Sequence, residues 1–214
     1  MIKIRASALG DIMADAKEKG EPLSKGAKTV LEKMAKEFVY GYVEEISGKY
    51  MDKGLIVENQ SIELYNAVHF TNYKKNTERR TNDWVTGECD IYVPNTKIID
   101  IKSSWSLPTF PATVESGRDK GYEWQGRAYM MLWNVDLFEI AYCMVNTPDE
   151  LIKYEQDELH FVDHIDEALR VTIVPYERDK VLEDKIKFKV DAARAYLTKV
   201  IEEIQEQHNA LQPA

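Results

Sequence analysis

Gly87-Glu88-Cys89-Asp90-Ile91-Tyr92-Val93-Pro94-Asn95-Thr96-Lys97-Ile98-Ile99-Asp100-Ile101-Lys102 sets the architecture of the chain. Two runs rich in β-branched and aromatic residues flank a Pro-Asn turn, which is the pattern of a β-hairpin. Side chains alternate faces along a strand, so Glu88 and Asp90 share one face. Asp100 and Lys102 share one face of the second strand, while Ile99 and Ile101 point the other way into apolar packing. With the turn centred near Asn95, Asp90 and Asp100 fall opposite each other, roughly 5 Å apart, and two carboxylates so placed repel. A divalent cation between them would remove that penalty, with Lys102 beside it as a third charge. Ordinary surface does not need such an arrangement.

Upstream of this hairpin, Thr81 to Val93 reads as one long strand. Downstream, Ser103-Ser104-Trp105 leads into a Pro-flanked loop, where Trp105 and Phe110 are placed to stack on a base or to pack inward. A helix follows, from Ser116 or Tyr122 to Trp133, and Gln125 and Tyr129 share one of its faces. Phe138 to Val145 is apolar almost throughout and reads as a central strand covered on both sides. The helical crossover puts it parallel to the second hairpin strand.

Asp90 followed by Asp100-Ile101-Lys102 resembles the PD-(D/E)XK nuclease superfamily, and within it most of all the phage lambda exonuclease and YqaJ-type recombination nucleases. Gly54-Leu-Ile-Val-Glu58 is similar to the upstream glutamate helix of those enzymes, and Gln125 to the glutamine on the helix after the motif. Arg5-Ala-Ser7 resembles the segment that holds the 5′-phosphate. The resemblance spans roughly residues 1–146. Two departures stand out: the arginine–tryptophan segment ahead of the phosphate-binding serine has no counterpart, and Glu88 occupies a place often held by a small polar residue.

The resemblance implies an α/β, restriction-endonuclease-like core, a mixed central sheet with an internal hairpin flanked by helices. It further implies a 5′-to-3′ exonuclease on duplex DNA in phage-type recombination, working with a single-strand-annealing protein and assembled as a trimeric ring. The expected ion is Mg²⁺, with Mn²⁺ as a substitute, since hard cations take oxygen ligands. Asp90, Asp100 and the Ile101 carbonyl are the expected ligands, with Glu58 positioning a second ion or its water. Lys102 is placed to orient the water or stabilise the phosphorane. The rival readings are an endonuclease or junction resolvase of the same fold, and a non-catalytic DNA- or protein-binding module.

The composition is compatible with this. With 214 residues, 44% hydrophobic, the chain can form a single domain, here a nuclease core over about 1–175 and an amphipathic helical segment over about 178–208. A net charge of −9 excludes a general polyanion coat-binder but not an enzyme with one basic face. Lys74, Lys75, Arg79 and Arg80 supply four cations in a short span and are the expected DNA-facing patch, joined by Arg5, Ser7, Trp105 and Tyr129. Cys89 and Cys143 form no metal or disulfide pattern, and Cys89 reads as a small core residue. No signal peptide or long apolar run is present, so the expectation is a reducing, cytoplasmic setting, that of the host if viral.

The remaining elements follow from periodicity. Residues 5–18 read as a short helix capped by Ser7, whose N-terminus with Arg5 offers a phosphate cradle. Ser24 opens a helix with a stripe of Val30, Leu31, Met34, Phe38 and Tyr42. Thr147-Pro148-Asp149-Glu150 opens another, with His160 and His164 near its end and no metal role expected for them. Leu169 to Val174 reads as a strand ending at Pro175.

Overall fold

The computed structural model describes residues 2–44 and 48–210, without the side chains of 208–210. Its centre is a four-stranded mixed sheet in the order β4 (Ile91–Val93), β5 (Lys97–Ser103), β6 (Leu137–Cys143), β7 (Val171–Glu177). The hairpin is as expected: β4 pairs antiparallel with β5, Ile91 opposite Ile99, with Asn95 taking a left-handed φ of 56° in the turn. β6 runs parallel to β5, and β7 returns antiparallel along β6.

Alternation along β5 divides the molecule into two apolar layers. Ile99 and Ile101 join Ala141 and Cys143 of β6 beneath helix α3 (Lys49–His69), which buries Val57, Ile62, Leu64 and Tyr65 there. Ile98, Phe138, Ile140 and Val174 face the opposite layer, under helix α4 (Lys120–Trp133). Burying each Ile, Leu or Phe side chain contributes about 1.5–3 kcal/mol, so both layers are needed to hold so thin a sheet. Asp100 and Lys102 continue the Ile98 row and therefore emerge on the α4 side.

The contact of α4 with β6 is close. A Cβ at Gly126 would lie 2.0 Å from carbons of the Phe138 ring. Gly126→Ala, a change that ordinarily stabilises a helix by about 1 kcal/mol, should here cost roughly 1–3 kcal/mol. The expected result is a lower urea midpoint with an unchanged slope.

Several expectations are corrected. The long strand over Thr81–Val93 is three short ones: β2 (Arg80–Thr81), β3 (Val85–Gly87) and β4. Asn82 turns β2 back onto β3 by accepting the Trp84 and Val85 N–H groups, which breaks the run. β2 and β3 form a separate small sheet with β1 (Ile4–Arg5), parallel to β3. The helix expected over residues 5–18 is a 3-10 turn at Ala6–Ala8 followed by the four-residue α1 (Leu9–Ile12). Ser7 lies inside that turn and caps nothing.

Ser24 does cap α2 (Lys25–Tyr40), accepting the Ala27 N–H, but the fully buried stripe is Ala27, Leu31 and Ala35, and Phe38 and Tyr42 are exposed. The helix after Pro148 is a single turn, α5 (Asp149–Ile152), and the buried His160 sits beyond it, bonded around Thr147 and Trp105 rather than on a helix face. β7 continues through Pro175 because it is an edge strand, where a missing N–H costs nothing. The last helix, α6 (Lys180–Ala210), lays Ile186, Val190, Ala193, Leu197 and Ile201 into the α4-side core and runs along α2. Val181, in the first turn of α6, is exposed. No helix of the described residues is long and apolar enough to cross a membrane.

Candidate active site

Just ahead of β4, beside the middle of β5, the two carboxylates meet. Extending the ladder one step beyond Ile91 and Ile99 sets Asp90 against Asp100, and Asp90 Oδ2 accepts the Ile101 N–H at 2.7 Å. Asp100 is 2% exposed, and the Lys102 ammonium lies 2.5 Å from its Oδ2. Asp100 Oδ2 is fully buried, and besides that ammonium no donor reaches it among the described residues.

The electrostatics follow from this crowding. Burial first, and the charge of Asp100 second, push the Asp90 carboxyl up to about 7. Burial would lower the Lys102 pKa, but the charges of Asp100 and Asp90 outweigh it and hold the ammonium above its ordinary value. Buried hard-oxygen donors in excess of their donors and counter-charges are what a Mg²⁺ or Mn²⁺ ion requires, and these residues fit one.

The pair opens into a cleft of about 760 Å³ lined by Glu58, Glu88, Gln125 and Tyr129, and by Tyr50, Met51 and Leu55 of α3. Gln125 donates to the Tyr129 hydroxyl at 2.8 Å, and that hydroxyl donates to the Glu88 carbonyl at 2.9 Å. The i, i+4 pair shares one helix face, as its spacing predicts, and both residues line the cleft. Tyr129 is buried, with its role taken up in fixing the chain next to Asp90.

Glu58 reaches the cleft but does not join the carboxylate pair: it is ion-paired with Lys75, and among the described residues no three His, Cys, Asp or Glu side chains gather as a ligand group. The same pairing corrects the expected basic patch. Lys75 is taken by Glu58, Arg79 by Glu88 at 3.3 Å, and Arg80 by Glu78, with its guanidinium also over the rings of Tyr92 and Trp133. Only Lys74 of the four makes no ion pair among the described residues. The segment instead edges the hairpin, where Asn76 donates its N–H to the Asp90 carbonyl and its side-chain amide to the Cys89 carbonyl.

Trp105 is buried, not presented to a base. Its indole N–H donates to Glu155 at 2.9 Å, and its ring meets Tyr50 and His160 edge-on. Its carbonyl, with those of Ser104 and Val145, accepts from the fully buried Lys53 ammonium, whose pKa burial lowers to about 8. Lys53 was not legible as a structural residue, because nothing in its spacing tells a buried lysine from a solvated one. Arg5 and Ser7 are exposed on and just after β1, outside the cleft lining, though Ala6 between them packs on Gly87 next to Glu88. Cys89 is buried, as expected, and burial pushes its thiol up to about 12.

A mixed sheet with a carboxylate pair and a lysine on its hairpin is the arrangement that the resemblance to the PD-(D/E)XK superfamily leads one to expect. No protein-family model matches the sequence, and no curated protein does. Among solved structures, the chain is similar to a phage-related exonuclease from Haemophilus somnus 129PT, at 37% identity and a TM-score of 0.89, covering 95% of this chain and 96% of that one. It is also similar in fold to the alkaline exonuclease LHK-Exo from Laribacter hongkongensis, at 19% identity and a TM-score of 0.71, covering 98% of this chain and 95% of that one. A structure of LHK-Exo in complex with dAMP matches equally, with a TM-score of 0.72. The chain belongs to the phage-related exonuclease family, the lambda/YqaJ-type branch of the PD-(D/E)XK superfamily.

Proposed function

We propose that this protein is a metal-dependent DNA exonuclease that hydrolyses linear duplex DNA from the 5′ end toward the 3′ end. The observation that carries the reading is the pairing of half-buried Asp90 with buried Asp100, with Lys102 in ion-pair contact, at the wall of a cleft of about 760 Å³. Asp90, Asp100 and the Ile101 carbonyl would hold Mg²⁺ or Mn²⁺, and Glu58, once released from Lys75, would reach a second ion or its water. A bound ion would lower the pKa of its water and neutralise charge on the scissile phosphate.

The chain's own residues supply the rest. Asp90 must be unprotonated to act, and a cation in place of the proton achieves that near neutral pH. Lys102, held on the Asp100 side of the cleft, presents its ammonium to the phosphate oxygens as they gain charge. Gln125 is fixed at the cleft wall through Tyr129 and is placed to orient the nucleophile or the phosphate. Arg5 and Ser7 would receive the 5′-phosphate from the neighbouring small sheet. The proposal includes the host cytoplasm as the setting, a homo-oligomeric ring, and a single-strand-annealing protein as partner.

The test uses 5′-phosphorylated linear duplex and covalently closed circular duplex, each with Mg²⁺ and with EDTA. Loss of the linear DNA alone, and only with Mg²⁺, is the expected result. Cutting of the circle would replace the exonuclease reading by an endonuclease one. An inert protein under Mg²⁺ and Mn²⁺ would leave a binding module.

A further inference from the structure

Lys102 has a second neighbour that the sequence did not single out. Parallel pairing sets Lys102 beside Tyr142 on the same face of the sheet, and the Lys102 ammonium lies 4.4 Å from the centroid of the Tyr122 ring. Tyr122 sits in the first turn of α4 and is 36% exposed, lining the cleft with Gln125 one turn further on. A cation held within about 6 Å of an aromatic face is attracted by the ring quadrupole.

The ring's position is itself built in. Asp119 caps α4 by accepting the Tyr122 N–H at 2.9 Å. The loop ahead of that cap is tied to the sheet, because the Tyr142 hydroxyl donates to the Gly117 carbonyl at 2.9 Å. At Gly117 a Cβ would come within 2.8 Å of the Val174 side chain and 3.1 Å of the Tyr142 ring, so only a glycine lets the loop lie this close. A chain of contacts therefore runs from β6 and β7 through Gly117 and Asp119 to the Tyr122 ring, and from there to the ammonium.

From this juxtaposition we infer that Tyr122 is a positioning residue for Lys102. Asp100 holds the ammonium as a close ion pair, but it is also the expected ligand of a cation, which would compete for that carboxylate. The Tyr122 face holds the ammonium in the cleft whatever Asp100 is doing, and the phenol hydroxyl is not needed for that. This inference rests on the nuclease reading for its kinetic consequence, but not for the contact itself.

The experiment compares the full-length protein with Tyr122→Leu and Tyr122→Phe in two measurements. The first is the ¹³C–¹H spectrum of lysine-labelled protein without DNA, with the Lys102 methylene signal identified by its loss in Lys102→Met. Ring-current shielding should move that signal upfield in the native protein and in Tyr122→Phe, and the displacement should shrink in Tyr122→Leu. The second is steady-state digestion of linear duplex. Tyr122→Leu should lower kcat roughly 5- to 30-fold with KM for DNA unchanged, and Tyr122→Phe should recover most of the loss. Thermal melts establish that both variants fold. A Lys102 signal unmoved by Tyr122→Leu, or a rise in KM alone, would overturn the inference. A native protein without nuclease activity would instead strike the functional reading, while the spectrum still decides whether Tyr122 holds Lys102.

Discussion

Lys102→Ala is expected to reduce phosphodiester hydrolysis by at least about 100-fold while the protein remains folded. Removing one donor aimed at developing charge typically has this effect when the donor works in a water-poor site. Lys102 meets that condition, with its side chain 24% exposed and its ammonium against a carboxylate that is itself buried. The loss of the ion pair leaves Asp90 and Asp100 without their counter-charge, but the fold has an escape. Asp90 already titrates near 7 because of burial and Asp100, and removal of Lys102 raises it further, so a proton takes the place of the ammonium. Single-turnover digestion of 5′-phosphorylated duplex, with circular dichroism on the same sample, checks both halves. Native-like rates in the variant would overturn the assignment of Lys102.

Asp90→Asn carries the second large effect, and it has two signs. Activity should fall by orders of magnitude, since one of the expected cation ligands becomes neutral. Stability without metal should rise. Asparagine keeps an oxygen for the Ile101 N–H, which Asp90 accepts at 2.7 Å, and removes one of two adjacent like charges. The gain at pH 8 should be on the order of 2 kcal/mol, or roughly 4–8 °C in Tm for a chain of this size.

The pH dependence follows from the direction of the shift. Burial and the charge of Asp100 raise the Asp90 carboxyl from its ordinary value to about 7. Between roughly pH 4 and that value the folded protein holds a proton that the unfolded chain has released. The stabilisation from this proton is complete below the unfolded pKa and is lost as pH rises through the folded one. In EDTA, the native Tm should therefore fall relative to that of Asp90→Asn across this window. Mg²⁺ should restore the native protein at pH 8 and leave the variant nearly unmoved. Parallel Tm curves for the two proteins would remove the repulsion between Asp90 and Asp100 from the account.

Much of the site was legible because a strand repeats every two residues. Asp90, Asp100 and Lys102 are brought together by one hairpin, and the register of a short hairpin follows from its turn. The Gln125–Tyr129 face was legible for the same kind of reason, since i, i+4 neighbours on a helix meet whatever the rest of the chain does. Central strand β6, with no polar alternation, announced its burial on both faces. These are local rules, and local order carries them.

The sequence by itself therefore determined the hairpin, the carboxylate pair and the Ser24 cap of α2, each from contacts within a few residues or one turn, and the parallel β5–β6 pairing from the helical crossover between the strands. The tertiary structure decided which charges remain available. Lys75, Arg79 and Arg80 read as a basic patch, yet Glu58, Glu88 and Glu78 neutralise them. For Lys75 and Glu58 the partners lie on different elements, which no spacing rule connects. Tertiary packing likewise turned Trp105 inward, buried Lys53 on three carbonyls and set the Tyr122 ring over Lys102. The physical reason is common to all of these. A charged or aromatic side chain is amphipathic, and whether it faces water, a carboxylate or a ring depends on what the rest of the chain packs against it.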